Sequence, residues 1–165
     1  MLLTIFLAIC FCAAMTIMLI SAVTMIQNEK ILSSAPKEAV ELIKPRPNEL
    51  FYGARSMGRV LMTISILMIL GIGIVSIWDG LRSGYAFWQF FLRFVLIFSA
   101  YKIYDMIFFD WFLLCKFRFF QFYYPEVAAV YNGRKFGYNI KSQLLKLLVI
   151  FPAASAIAAW ICSSV

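Results

Sequence analysis

Histidine is absent from all 165 residues, and charged side chains make up only 14% of the chain. The first absence excludes the zinc-protease pattern His-Glu-x-x-His, haem ligation by histidine, and any serine or cysteine nucleophile served by imidazole. The second falls well below the usual charged share of about a quarter, and 64% of the residues are hydrophobic. A water-soluble surface cannot be assembled from that composition. Cysteine is scarce too, and no Cys-x-x-Cys pair occurs: Cys10, Cys12, Cys115 and Cys162 all lie in or at the ends of apolar stretches. Cysteine there behaves as a small hydrophobe, and the spacing Cys10-Phe11-Cys12 turns the two thiols to different sides of a helix.

What is present in quantity is uninterrupted apolar sequence. Met1 to Asn28, Val60 to Trp78 and Leu147 to Val165 carry no charge, and each meets the requirement of about 20 apolar residues for crossing the hydrocarbon core. A fourth stretch, Tyr85 to Cys115, is rich in Phe, Leu and Ile but includes Arg93, Lys102, Asp105 and Asp110. The first run has no basic residue before it, exceeds a secretion-signal core in length and has no clear small-x-small cleavage site. It is expected to remain as a helix. The spans predicted are therefore residues 2–26, 59–78, 85–115 and 144–163, giving an all-α, four-helix transmembrane bundle in a single membrane domain.

Charge distribution argues for the same count. The formal net charge is +7, and nearly all of it lies between Asn28 and Val60 (Lys30, Lys37, Lys44, Arg46, Arg55, Arg59) and between Cys115 and Leu147 (Lys116, Arg118, Arg134, Lys135, Lys141, Lys146). The turn Asp79 to Gly84 has only Arg82. With four spans, both basic loops, residues 28–58 and 116–143, fall on one side, as the positive-inside rule requires of cytoplasmic loops. Both termini are then expected outside, and the membrane is expected to be the cell membrane. Basic segments beside a bilayer attract anionic headgroups, so nucleic acid is not needed to explain the charge.

Within the first loop, Ser33-Ser34-Ala35-Pro36 reads as a helix start. A short amphipathic helix over Pro36 to Ile43 follows, with Ala39, Val40, Leu42 and Ile43 expected against the headgroup region. Gly71, Gly73, Ser76 and Gly80 in the second span are expected to permit close packing. Trp78, Tyr85 and Trp88 fit an aromatic belt around the turn. In the last span, Pro152 predicts a kink. Two ridges of small residues follow it, Ser155-Ala159-Ser163 and Ala154-Ala158-Cys162, suited to contact with the protein's own helices or with another copy.

The charged third span holds the candidate polar site: Arg93, Tyr101, Lys102, Asp105 and Asp110. A charge inside the bilayer costs a few kcal/mol or more, so such groups face a bundle interior and pair. Arg93 lies about 12 Å along the helix from Tyr85, within partial snorkelling reach of the outer boundary. Lys102 and Asp105, three apart, share a helix face and can neutralise each other, with Tyr101 one turn before Asp105 as a further hydrogen-bond donor. Asp110 is turned about 140° from Asp105 on an α-helix, which argues against an aspartic dyad. It leaves open a proton relay, a cation site completed by other helices, or an interface role beside Trp111. No metal or cofactor is called for.

The run Lys116 to Tyr124, with Arg118 among six aromatic residues, is expected at the membrane surface, its cations toward lipid phosphates together with those of Arg134 and Lys135. Asn132-Gly133 signals a tight turn, with a small hairpin over Ala129 to Phe136. Tyr104-Asp105, Asp110-Trp111, the basic aromatic stretch, Pro125-Glu126 and Tyr138 together resemble a group of small uncharacterised bacterial four-helix membrane proteins, over roughly Tyr101 to Leu148. That group often carries a histidine shortly before the last helix, which this chain lacks, and the resemblance implies no activity.

Three functions fit these features: an accessory or assembly protein that docks on membrane proteins or lipids, an oligomeric ion- or proton-coupled transporter or channel working through the third span, and a membrane-embedded enzyme. The first needs only features already visible.

Overall fold

The computed structural model describes residues 1–28, 37–44, 46, 48–133 and 140–164. Among them every regular element is helical. The elements are α1 (Leu2–Ile20) continued by a π-helical turn (Ser21–Ile26), α2 (Lys37–Leu42), α3 (Ala54–Arg82), α4 (Phe87–Tyr104) continued by a π-helical stretch (Asp105–Lys116), α5 (Phe119–Tyr123), a 3-10 turn (Pro125–Val127), α6 (Ala128–Tyr131), α7 (Ile140–Leu145), a π-helical turn (Lys146–Ile150) and α8 (Phe151–Ser163). Three continuous helices are long and apolar enough to cross a membrane: Leu2–Ile26, Ala54–Arg82 and Ile140–Ser163. Their outward residues are large and apolar, Ile5, Phe6 and Ile9 on the first, Ile64, Leu67, Leu70 and Ile74 on the second, Ile157, Trp160 and Ile161 on the third. Water does not tolerate apolar surface of that extent on a monomer, whereas hydrocarbon does.

The chain divides into two compact units. The first comprises residues 1–14, 67–105 and 139–165. Its interior has two parts, one around Leu7, Ala8, Ile72 and Ile97, the other around Phe90, Phe94, Ala159 and Cys162. Of the small residues on α8, Ser155, Ala159 and Cys162 are buried while Ala154 and Ser163 are exposed. The inward ridge is thus 155-159-162, a mixture of the two expected ones, because the α-helical repeat of 3.6 residues alternates steps of four and three. Pro152 stands in the first turn of α8 directly after the π-helical turn. Lacking an N–H, it frees an upstream carbonyl at the point where the hydrogen-bond register changes.

Of the four small residues of α3 expected to permit close packing, Gly71, Gly73, Ser76 and Gly80, the last two are the ones that are buried. A Cβ at Gly80 would come within 2.3 Å of the Phe90 ring, while Gly71 and Gly73 have open space around them. Phe90 is itself wholly buried, so it cannot swing aside. Gly80→Ala is therefore expected to cost about 1–3 kcal/mol by overpacking, and Gly71→Ala to cost nothing or stabilise slightly through helix propensity. Unfolding of the two variants in detergent micelles checks the contrast.

The second unit comprises residues 15–66 and 106–138, with Val23, Ala39, Ile43, Leu114, Tyr124, Val127 and Tyr131 at its centre. This corrects two expectations. Ala39 and Ile43 of the amphipathic segment are buried against protein, and of its described apolar side chains only Leu42 is exposed. Likewise Tyr124 is core, with Phe119, Phe120 and Tyr123 packed on it, so four of the six aromatic residues of the run turn inward, while Phe117 and Phe122 remain exposed. A third correction concerns the hairpin: Ala128–Tyr131 is helical, seeded by the 3-10 turn at Pro125 and held by buried Tyr131. Asn132-Gly133 does form a turn, with Gly133 at a positive φ of 80°. The proposed helix start at Ser33 to Pro36, and Arg134, Lys135 and Phe136, lie outside the described residues.

Candidate functional site

Arg93 is 3% exposed, in the middle of an apolar helix. Its guanidinium reaches back toward the turn between α3 and α4, but ends in a cage of protein groups and not in the open. Nη1 donates to the Ser76 carbonyl at 2.9 Å, and Nη2 donates to Asp79 Oδ2 at 2.8 Å and to the Tyr85 hydroxyl at 2.7 Å. The same guanidinium lies 4.4 Å from the centre of the Tyr85 ring. A cation near the last turn of α3 also meets the negative end of that helix. Asp79 and Tyr85 had been expected only as turn and belt residues; a carboxylate 14 positions before a buried arginine, across a tight turn of two helices, was the available signal.

Nine residues further along, about 13 Å at α-helical rise, Lys102 is 4% exposed and forms an ion pair with Asp105. The pair follows from their i,i+3 spacing. Phe11 packs edge-on against Tyr101, with ring centres 5.1 Å apart. Asp105 is also where α-helical hydrogen bonding gives way to the π-helical stretch. Bonds there join residues five apart. Asp110 belongs to the second unit, where its carbonyl accepts from the Cys115 thiol at 3.2 Å.

The second unit has a polar centre that the sequence reading passed over. Glu126 accepts from the Lys44 backbone N–H at 3.3 Å and from Arg46 Nη2 on both carboxylate oxygens, at 3.2 and 3.0 Å. The Arg46 guanidinium lies 4.9 Å over the ring of Tyr124, which is 1% exposed. The Tyr124 hydroxyl donates to the Val23 carbonyl at 3.3 Å. Val23 is in the last turn of the first helix, where carbonyls have no partner within the helix, so the phenol caps that end. Gln27 ends the turn in the left-handed conformation. Of the expected lipid-contact residues here, Lys116 and Arg118 are exposed, and Lys116 lies 5.5 Å from the centre of the Trp111 ring.

Two ionisations follow from this centre. Burial raises the Glu126 carboxyl, but its own backbone N–H, that of Lys44 and the Arg46 guanidinium outweigh burial and leave it below the usual carboxylate value of 4.5. Burial, with Glu126 adding and Arg46 opposing, pushes the Tyr124 phenol from 10.0 up to about 12. The Glu126 contribution to stability is then present above the unfolded carboxylate value and lost as pH falls through the lower folded one. The Tyr124 contribution is present below pH 10.0 and lost as pH rises toward about 12. Melting temperature against pH should therefore fall at both ends, and Glu126→Gln should flatten the acid limb while leaving an alkaline one.

These features define the class: a helical protein whose three long apolar helices suit a membrane and whose interior charges are held in protein cages. No protein-family model matches the chain, nor does any curated protein or solved structure.

Proposed function

We propose that this chain is a four-span integral membrane protein serving as a small accessory or assembly factor, docked on other membrane proteins or on lipids. The fourth crossing is the helix Phe87–Lys116. Its 30 residues are long enough, and both of its inner cations, Arg93 and Lys102, are neutralised by carboxylates, Asp79 and Asp105. That internal neutralisation is the observation that carries the reading. A conduction path leaves ionisable groups facing water or substrate, whereas here Arg93 is spent on joining α4 to α3 and Lys102 is neutralised within its own helix by Asp105. Placing the basic segments 28–58 and 116–143 in the cytoplasm and both termini outside satisfies the positive-inside rule. Exposed Lys116, Arg118, Phe117 and Phe122 supply a lipid-facing surface. The outward face of α8, with Ile157, Trp160 and Ile161, supplies one for a second copy or a membrane-protein partner.

Purification in a mild detergent followed by mass measurement of the intact particle tests this reading. A retained partner, oligomer or lipid supports it, and a bare monomer sinks it. The second reading, an ion- or proton-coupled transporter, is favoured by one observation, an ionisable pair buried within a candidate span. Proteoliposomes in which Lys102→Met, Asp105→Asn and Asp110→Asn leave ion and proton flux unchanged, or in which no flux occurs, end it.

A further inference from the structure

The segment leading into α3 exposes three consecutive large apolar side chains, Leu50, Phe51 and Tyr52, the last 104% exposed. None belongs to an interior cluster. They are not a loose tail. The Gly53 N–H donates to Glu49 Oε2 at 2.9 Å, the Ala54 N–H to the Phe51 carbonyl at 3.0 Å, and the Met57 N–H to the Gly53 carbonyl at 3.0 Å as the helix begins. Gly53 sits at a φ of 83°, a conformation open to glycine and strained for other residues. A tight turn is thus built to hold an apolar tip outward, and some surface must cover that tip.

The length of α3 indicates which surface. Its 29 residues measure about 43 Å, longer than the hydrocarbon core of about 30 Å and close to the 40–45 Å of a bilayer with its headgroups. The uncharged part runs from Val60 to Trp78, bounded by Arg59 at one end and Asp79 at the other. The first turns of α3 therefore cross the headgroup layer, and the Leu50–Tyr52 tip reaches its outer margin, which helix tilt brings closer to the surface. Charge agrees: exposed Arg59, just before the apolar stretch, and exposed Lys44 match lipid phosphates. The same unit presents Phe117 and Phe122 beside Lys116 and Arg118, the pairing of apolar and basic groups used by interfacial segments.

We infer that the Asn48–Gly53 turn is an interfacial insertion loop, seating Leu50, Phe51 and Tyr52 in the phospholipid headgroup zone of the bilayer that α3 crosses. It anchors that end of α3 at a set depth. The inference rests on the proposed membrane reading and adds a lipid contact to it.

The test is a depth measurement. Full-length protein carrying Tyr52→Cys, with its four native cysteines replaced by serine, is labelled with an environment-sensitive fluorophore and reconstituted in phosphatidylcholine–phosphatidylglycerol vesicles. Lipids bearing quenchers at two depths then locate the probe. The expected result is blue-shifted emission, quenching by the shallow lipid quencher, and a depth of about 5–10 Å below the headgroup surface. Water-like emission quenched by aqueous iodide would overturn the inference. So would blue-shifted emission that neither lipid quencher reaches, because protein would then cover the tip. If the serine variant does not fold, Tyr52→Cys alone, corrected for labelling of the unsubstituted protein, gives the same reading. A water-exposed probe on a particle that still carries lipid or partner leaves the accessory role standing, so the two failures are distinguishable.

Discussion

Asp79→Ala is expected to destabilise the folded protein by about 3 kcal/mol, the lower end of what breaking a buried ion pair costs, since Asp79 keeps 29% exposure while Arg93 keeps 2% at the side chain. The loss arises less from the vanished attraction than from the guanidinium left behind. Arg93 sits in an apolar interior with only the Ser76 carbonyl and the Tyr85 hydroxyl and ring to accept it. Its Nε already lacks a partner. The double variant Asp79→Ala with Arg93→Met removes the stranded charge and should recover most of the loss, because replacing a buried pair with apolar side chains is often neutral or better. Four unfolding curves in one detergent give the coupling energy as a double-mutant cycle. Simple additivity of the two changes would mean that the contact contributes nothing to the joint between α3 and α4.

Lys102 and Asp105 should behave asymmetrically. Asp105→Ala leaves an ammonium that is 5% exposed at the side chain, whereas Lys102→Met leaves a carboxylate that is 17% exposed. The first should cost about 3 kcal/mol or more and the second less, since the stranded carboxylate keeps some access to its surroundings. The ranking of the two midpoints checks this, and equal midpoints would refute it. Lys102→Met also serves the flux measurement, so for that variant a lost activity can be told apart from a lost fold.

How much of this was legible in the residues differs from part to part. Lys102 and Asp105 were, because pairing within one helix depends on spacing alone. Arg93 was recognised as a problem, but not its solution: Asp79 and Tyr85 become its partners only when α3 and α4 close on each other around Gly80 and Phe90. The centre formed by Arg46, Glu126 and Tyr124 was illegible, since the ionic partners are 80 residues apart and nothing local marks either. Exposed Arg118 beside interior Tyr124 likewise looks uniform in a run of aromatic residues, and the assignment of each ring to core or surface depends on what arrives from elsewhere in the chain.

Composition and periodicity by themselves determined that the chain is helical and that three of its helices are long and apolar enough for a membrane. Backbone groups in hydrocarbon must be satisfied within their own segment, so a long uncharged run dictates a helix without reference to any neighbour. Only the tertiary structure decided which polar groups meet, which small residues face inward, and where π-helical turns replace α-helical ones. Those outcomes are set by contacts between segments distant in sequence, and their energies do not exist until the segments pack.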